Sequence, residues 1–190
     1  MKKTKKTAKS QVSKKSKFIL LGAILLVVAL VVAVTLTYII PKMQNQARYA
    51  RINEIYASLK IDDQTYLLKD SEVFGEKRLY DWDNSRSFSS AKYYTRGANV
   101  DVTAKDLDQK IKDAGFVFFD EPYPGSMQIQ YHYKSDKGEY IRLSVSSKLR
   151  DDAFFNAHWM NKDLNTTYEI DGNAGPSNVT IKVNLDDNNE

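Results

Sequence analysis

The chain has 190 residues, with 28 Lys+Arg against 24 Asp+Glu and no cysteine. Without cysteine there is no thiol nucleophile, no thiolate metal site and no disulfide framework, which excludes a sortase-like or Cys-type transpeptidase mechanism. The net charge of +4 is uneven: residues 1–17 hold eight lysines and no acid, whereas 43–190 hold 19 basic and 24 acidic residues. A short cationic tail on a mildly acidic body argues against a nucleic-acid partner.

Residues 18–40, FILLGAILLVVALVVAVTLTYII, run 23 positions without a charge. As a helix they span roughly 34 Å, enough to cross a hydrocarbon core of about 30 Å. Only Gly22, Thr35 and Thr37 interrupt the apolar run, and a helical threonine can satisfy its hydroxyl on its own backbone. The lysines of 1–17 hold that end in the cytoplasm against anionic inner-leaflet lipids, so 43–190 is expected outside. The apolar run exceeds the 7–15 residues typical of a cleaved signal, and no clean small-x-small site follows it. The reading is therefore an uncleaved signal-anchor in the cell membrane. A cysteine-free outside domain fits a bacterial or archaeal envelope protein.

Pro41 is expected to end or kink the membrane helix. Tyr49, Ile52, Ile55, Tyr56 and Leu59 recur at helical spacing, which predicts an amphipathic helix over 43–60 leading into one domain, 61–190. Tyr66–Leu68 and 72–80 read as strands, 81–85 as a turn and 90–96 as a further strand. Thr103 reads as the cap of a helix with a buried stripe of Ala104, Leu107, Ile111 and Ala114, ended by Gly115. Residues 116–119 should then enter the core as a strand, and Pro122–Gly125 should turn the chain.

The strongest strand pattern follows. Met127, Ile129, Tyr131 and Tyr133 alternate with Gln128, Gln130, His132 and Lys134. After a turn at Ser135–Gly138, Ile141, Leu143 and Val145 alternate with Tyr140, Arg142 and Ser144. This predicts a hairpin with one buried face. A helix is expected from Asp151 through Met160 and a last strand over 178–184. The class is α+β: one N-terminal transmembrane helix, then an extracytoplasmic domain with a mainly antiparallel sheet and two to three helices.

Chemistry is sparse. His132 lies on the polar face of the hairpin as a solvated residue, and His158 sits among Phe154, Phe155 and Trp159 in a packing role. Asp81-x-Asp83 begins like a calcium loop, but Arg86 and Lys92 stand where that loop needs glycine and glutamate. No catalytic residue, cofactor or metal is expected.

The aromatics are the suggestive feature. Adjacent strand residues face opposite sides, so Tyr93 or Tyr94, and Tyr123 or Tyr140, cannot all point inward. With Trp82, set between Asp81 and Asp83, these five are the candidate binding residues, offering flat area to an envelope protein or a cell-wall glycan. The expected function is a membrane-anchored, non-enzymatic binding module. Alternatively, the apolar helix, amphipathic extension and antiparallel sheet resemble the layout of a pilin subunit. Here, however, Lys17 precedes the apolar run and Gly22 stands where a pilin carries glutamate. A third reading is an envelope hydrolase using Asp81, Asp83, Asp120 or Glu121.

Overall fold

The computed structural model describes residues 14–76, 88–122, 128–159 and 170–185. In chain order the elements are α1 (Lys14–Val34), a π-helical turn (Thr35–Ile39), α2 (Ile40–Ser58), β1 (Leu67–Phe74), β2 (Phe88–Arg96), α3 (Val100–Asp113), β3 (Val117–Asp120), β4 (Gln128–Lys134), β5 (Tyr140–Ser147), α4 (Lys148–Trp159) and β6 (Ser177–Leu185). The class is α+β. The six strands form one sheet in the order β1-β2-β6-β5-β4-β3, every pair antiparallel. The chain divides into two compact units after Met43.

In the first unit every Phe, Ile, Leu and Val from Phe18 to Ile40 is exposed. Among the described residues, one helical stretch contains a window long and apolar enough to cross a membrane, with mean hydropathy 3.2. The Thr35 and Thr37 hydroxyls donate to the carbonyls of Val31 and Ala33, at 2.8 and 2.6 Å, as a threonine in an apolar helix must. Pro41 does not end the helix. It lacks an N–H and crowds the carbonyl four residues back. The wider turn just ahead of it, with the Ile40 amide donating to the Thr35 carbonyl, accommodates that defect.

The second unit is built on one face of the sheet. Ile52, Ile55, Tyr56 and Leu59 of the α2 region, and Val100, Ala104, Leu107 and Ile111 of α3, share a core with the inward residues of β2, β5 and β6. The predicted stripe of the 43–60 helix is thus its buried face, joined by a half-buried Tyr49. Burial holds the Tyr56 hydroxyl protonated well above the ordinary tyrosine range, and it donates to the Ser90 and Ile181 carbonyls at 2.9 Å each. A phenol so placed stitches α2 to β2 and β6 without leaving a buried polar atom unpaired.

The hairpin sets its predicted inward residues against one another: Tyr133 faces Ile141, Tyr131 faces Leu143 and Ile129 faces Val145. Gly138, at φ 82°, takes the left-handed turn position that a side chain would strain. The last strand is β6, which lies at the sheet centre between β2 and β5.

Several expectations are corrected. The cap of α3 is Asn99, whose side chain accepts from the Val102 amide at 2.9 Å. Thr103 lies inside the helix, its buried hydroxyl 2.7 Å from that of Ser177. Asparagine caps as well as threonine, and a buried Val100 draws the helix four residues earlier. The 116–119 strand does not enter the core: Phe116 is buried, but Val117, Phe118 and Phe119 lie exposed on an edge strand. Leu67 and Leu68 of the first expected strand and residues 72–74 of the second lie in one edge strand, β1, whose Leu67 and Leu68 are exposed, while 77–80 lie outside the described residues. The fourth helix begins at Lys148, before the aspartates expected to open it.

One polar anchor ties α2 to the β4–β5 turn. Arg51 grips Glu139 through Nε at 2.5 Å and Nη2 at 2.9 Å, and the Ser135 hydroxyl donates to the same carboxylate at 3.0 Å. Burial alone would raise the Glu139 carboxyl. The bonds from Arg51 and Ser135 and the charge of Arg51 and Lys137 outweigh it and hold the group below its usual range. A depressed folded-state pKa contributes stability above the unfolded value of about 4.5, lost as pH falls through the folded value. Glu139→Gln is therefore expected to destabilise the domain by about 2 kcal/mol at neutral pH. In paired thermal melts that difference should shrink as pH drops below the ordinary carboxylate range; a constant difference would mean the loss is one of packing.

Candidate functional site: the polar face of the sheet

Strand alternation sends the core residues of β2, β6, β5 and β4 to one side, and what remains on the other side is polar and aromatic. The registers align one row of this second face across all six strands: Glu72, Ala91, Lys182, Arg142, His132 and Asp120. Its middle is cationic and its ends acidic. Arg142 and Lys182 are direct partners on neighbouring strands, where like charges repel.

Two hollows lie along this row and meet at Arg142. One, of about 270 Å³, is lined by Phe74, Ala91, Tyr93, Gln128, Gln130, Arg142, Ser144, Thr180 and Lys182. The other, of about 220 Å³, is lined by Phe119, His132, Tyr140, Ile141, Arg142 and Asn184. Lys182 lies 5.1 Å over the Phe74 ring and Lys134 5.1 Å over the Tyr140 ring. At one end α4 meets this face: Asp151 accepts from Ser146 at 2.6 Å and from Asn178 at 2.7 Å.

His132 is not the solvated residue expected. Its side chain is 17% exposed, its Nδ1 is 3.6 Å from an Asp120 carboxylate oxygen, and its ring lies 5.9 Å from that of Phe119. Its Nε2 is buried, with no hydrogen-bond partner among the described residues. Burial lowers its pKa, the Arg142 charge lowers it further, and Asp120 opposes both. Being on the polar side of a strand does not ensure solvation when a neighbouring edge strand lays an aromatic ring beside the residue.

Of the five predicted binding residues, two share this face. Tyr93 lines the first hollow, its hydroxyl donating to Glu72 at 2.9 Å, and Tyr140 lines the second with its ring 6.0 Å from Phe119. Tyr94 turns the other way. It is 6% exposed, stands edge-on to Tyr66 at 6.4 Å, and burial pushes its hydroxyl up to about 12, so it is a core residue with no surface to offer. Trp82 and Tyr123, and the acids Asp81 and Asp83, lie outside the described residues. Asp120 is turned toward His132 and Glu121 is exposed beside it.

Arg142, Lys182, Phe74, Phe119 and Gln130 were not among the predicted site residues. Each alternates with a core residue or lies on an edge strand, so the signal was present strand by strand. Nothing in the sequence indicated that β6 pairs with β5 and thereby sets Lys182 against Arg142. No group of three or more His, Asp or Glu suited to a metal ion occurs among the described residues. Comparison with family models, with curated proteins and with solved structures finds no match to this chain.

Proposed function

We propose that this is a single-pass, membrane-anchored cell-envelope protein with a cytoplasmic N-terminus, whose C-terminal domain lies outside and binds another envelope component without catalysing a reaction. The observation that carries the reading is the exposed apolar surface of residues 18–40, where all sixteen Phe, Ile, Leu and Val side chains lack cover. An apolar area of that extent is costly in water and satisfied in lipid. Eight lysines ahead of it favour a cytoplasmic N-terminus. The binding half of the reading rests on the polar, aromatic face that α2 and α3 leave open.

Protease added to intact cells is expected to remove an epitope in 43–190 and to spare a tag on the lysine tail. The full chain in detergent is expected to retain envelope fragments. Labelling of the tail from outside, with the domain protected, would overturn the orientation. Shortened chains recovered in sheared filaments would favour the pilin-like alternative, which the order of α1, α2 and an antiparallel sheet supports.

A further inference from the structure

The polar sheet face sets two positive side chains in one register pair. Arg142 and Lys182 face each other across β5 and β6, with His132 next in the row. Among the described residues, neither Arg142 nor Lys182 has an acidic side chain within ion-pair distance. The two acids of the row stand at its ends and are engaged, Glu72 by the Tyr93 hydroxyl and Asp120 by His132. Like charges set opposite one another weaken a sheet, and an anion seated between them removes that cost.

The surroundings restrict which anion. Gln130, Ser144 and Thr180 place amide and hydroxyl groups beside the cations, matched to a ligand rich in hydroxyls. Tyr93 flanks one hollow, and Phe119 and Tyr140 flank the other, supplying flat faces on which sugar rings stack. With strands about 4.8 Å apart, Arg142 and Lys182 form a cationic pair one strand spacing wide, set between acidic row ends. A nucleic acid carries a charge at every step and favours a continuous basic track. The acidic row ends and the net acidity of 43–190 disfavour such a dense polyanion.

We propose that this face binds an acidic polysaccharide, its carboxylates held by Arg142 and Lys182 and its rings laid against Tyr93 and Tyr140. The proposal rests on the reading that the domain lies outside the cell, and it names the chemical class of the partner. Arg142 can grip a carboxylate through two parallel N–H bonds, whereas Lys182 acts as a point charge.

The test is calorimetric titration of the full-length protein in detergent with polygalacturonate, alongside neutral dextran, polyglutamate and single-stranded DNA. Polygalacturonate is expected to bind, more weakly as salt rises, and dextran to bind far less. The double variant Arg142→Gln/Lys182→Gln is expected to lose at least about tenfold in affinity. Its melting temperature should be unchanged or raised, because the repulsion is removed. Undiminished binding by the double variant overturns the proposal, as does no binding of polygalacturonate or tighter binding of polyglutamate or DNA. If both proteins retain envelope fragments equally, this inference fails while the envelope-binding reading stands. If neither retains any, that reading fails too.

Discussion

Leu143→Ala is expected to destabilise the domain by about 4 kcal/mol, in the upper half of the range for buried leucines. Leu143 is fully buried on β5, an interior strand flanked by β4 and β6. Its cross-strand neighbours are Tyr131 and Ile181, and α3 packs against its strand. The cost of truncation depends on how far the surroundings can collapse into the space. Here the neighbours on both sides are held in a hydrogen-bonded ladder, so little collapse is available. Arg142, the preceding residue, faces the open side, and Arg142→Ala should change stability by less than about 0.5 kcal/mol. Urea titrations of the two variants give the comparison. Similar losses from both would mean that the strand faces are exchanged, since a slip of one residue inverts every side chain.

The second large effect concerns the apolar helix. Leu26→Asp together with Leu30→Asp is expected to remove the protein from the membrane pellet after an alkaline wash. Sixteen Phe, Ile, Leu and Val residues favour insertion by roughly 5–10 kcal/mol before the ends are discounted. Each central aspartate costs about 3 kcal/mol and also forfeits the leucine it replaces, so two offset most or all of that gain. Placing them four apart puts both on one helix face, where neither has a donor or cation to share. If the variant stays in the pellet to the same extent as the parent, lipid is not what covers this helix, and the membrane reading is wrong.

Much of the layout was legible because it rests on local patterning. The uncharged run over 18–40, the 43–60 stripe, the helix ended by Gly115 and the alternating hairpin each need only their own neighbours to be recognised. The errors lie where a tertiary partner decides. Thr103 looked like a cap, yet Asn99 took that place because Ser177 and the core received the threonine and Val100. Residues 116–119 looked like core because four apolar residues stand together. An edge strand has one neighbour, and only Phe116 reaches the interior.

The candidate site followed the same division. Alternation alone places Tyr93 and Tyr140 on a face opposite to their core-facing neighbours, but it does not say which tyrosine of a pair is inside. Tyr94 went to the core because Tyr66 and the helices lie on that side of β2. The alternating polar residues of β5 and β6 were readable singly as a solvated face. Their meaning changed when the last strand inserted between β2 and β5, which brought residues forty positions apart, Arg142 and Lys182, into one row. By itself the sequence determined an apolar anchor-length helix, a charge step across it and a half-buried antiparallel hairpin, because these depend on spacing along the chain. The order of the strands, and with it the cationic interval between two acidic edges, was decided only by tertiary structure, because non-local pairing is set by the best joint burial of the whole core.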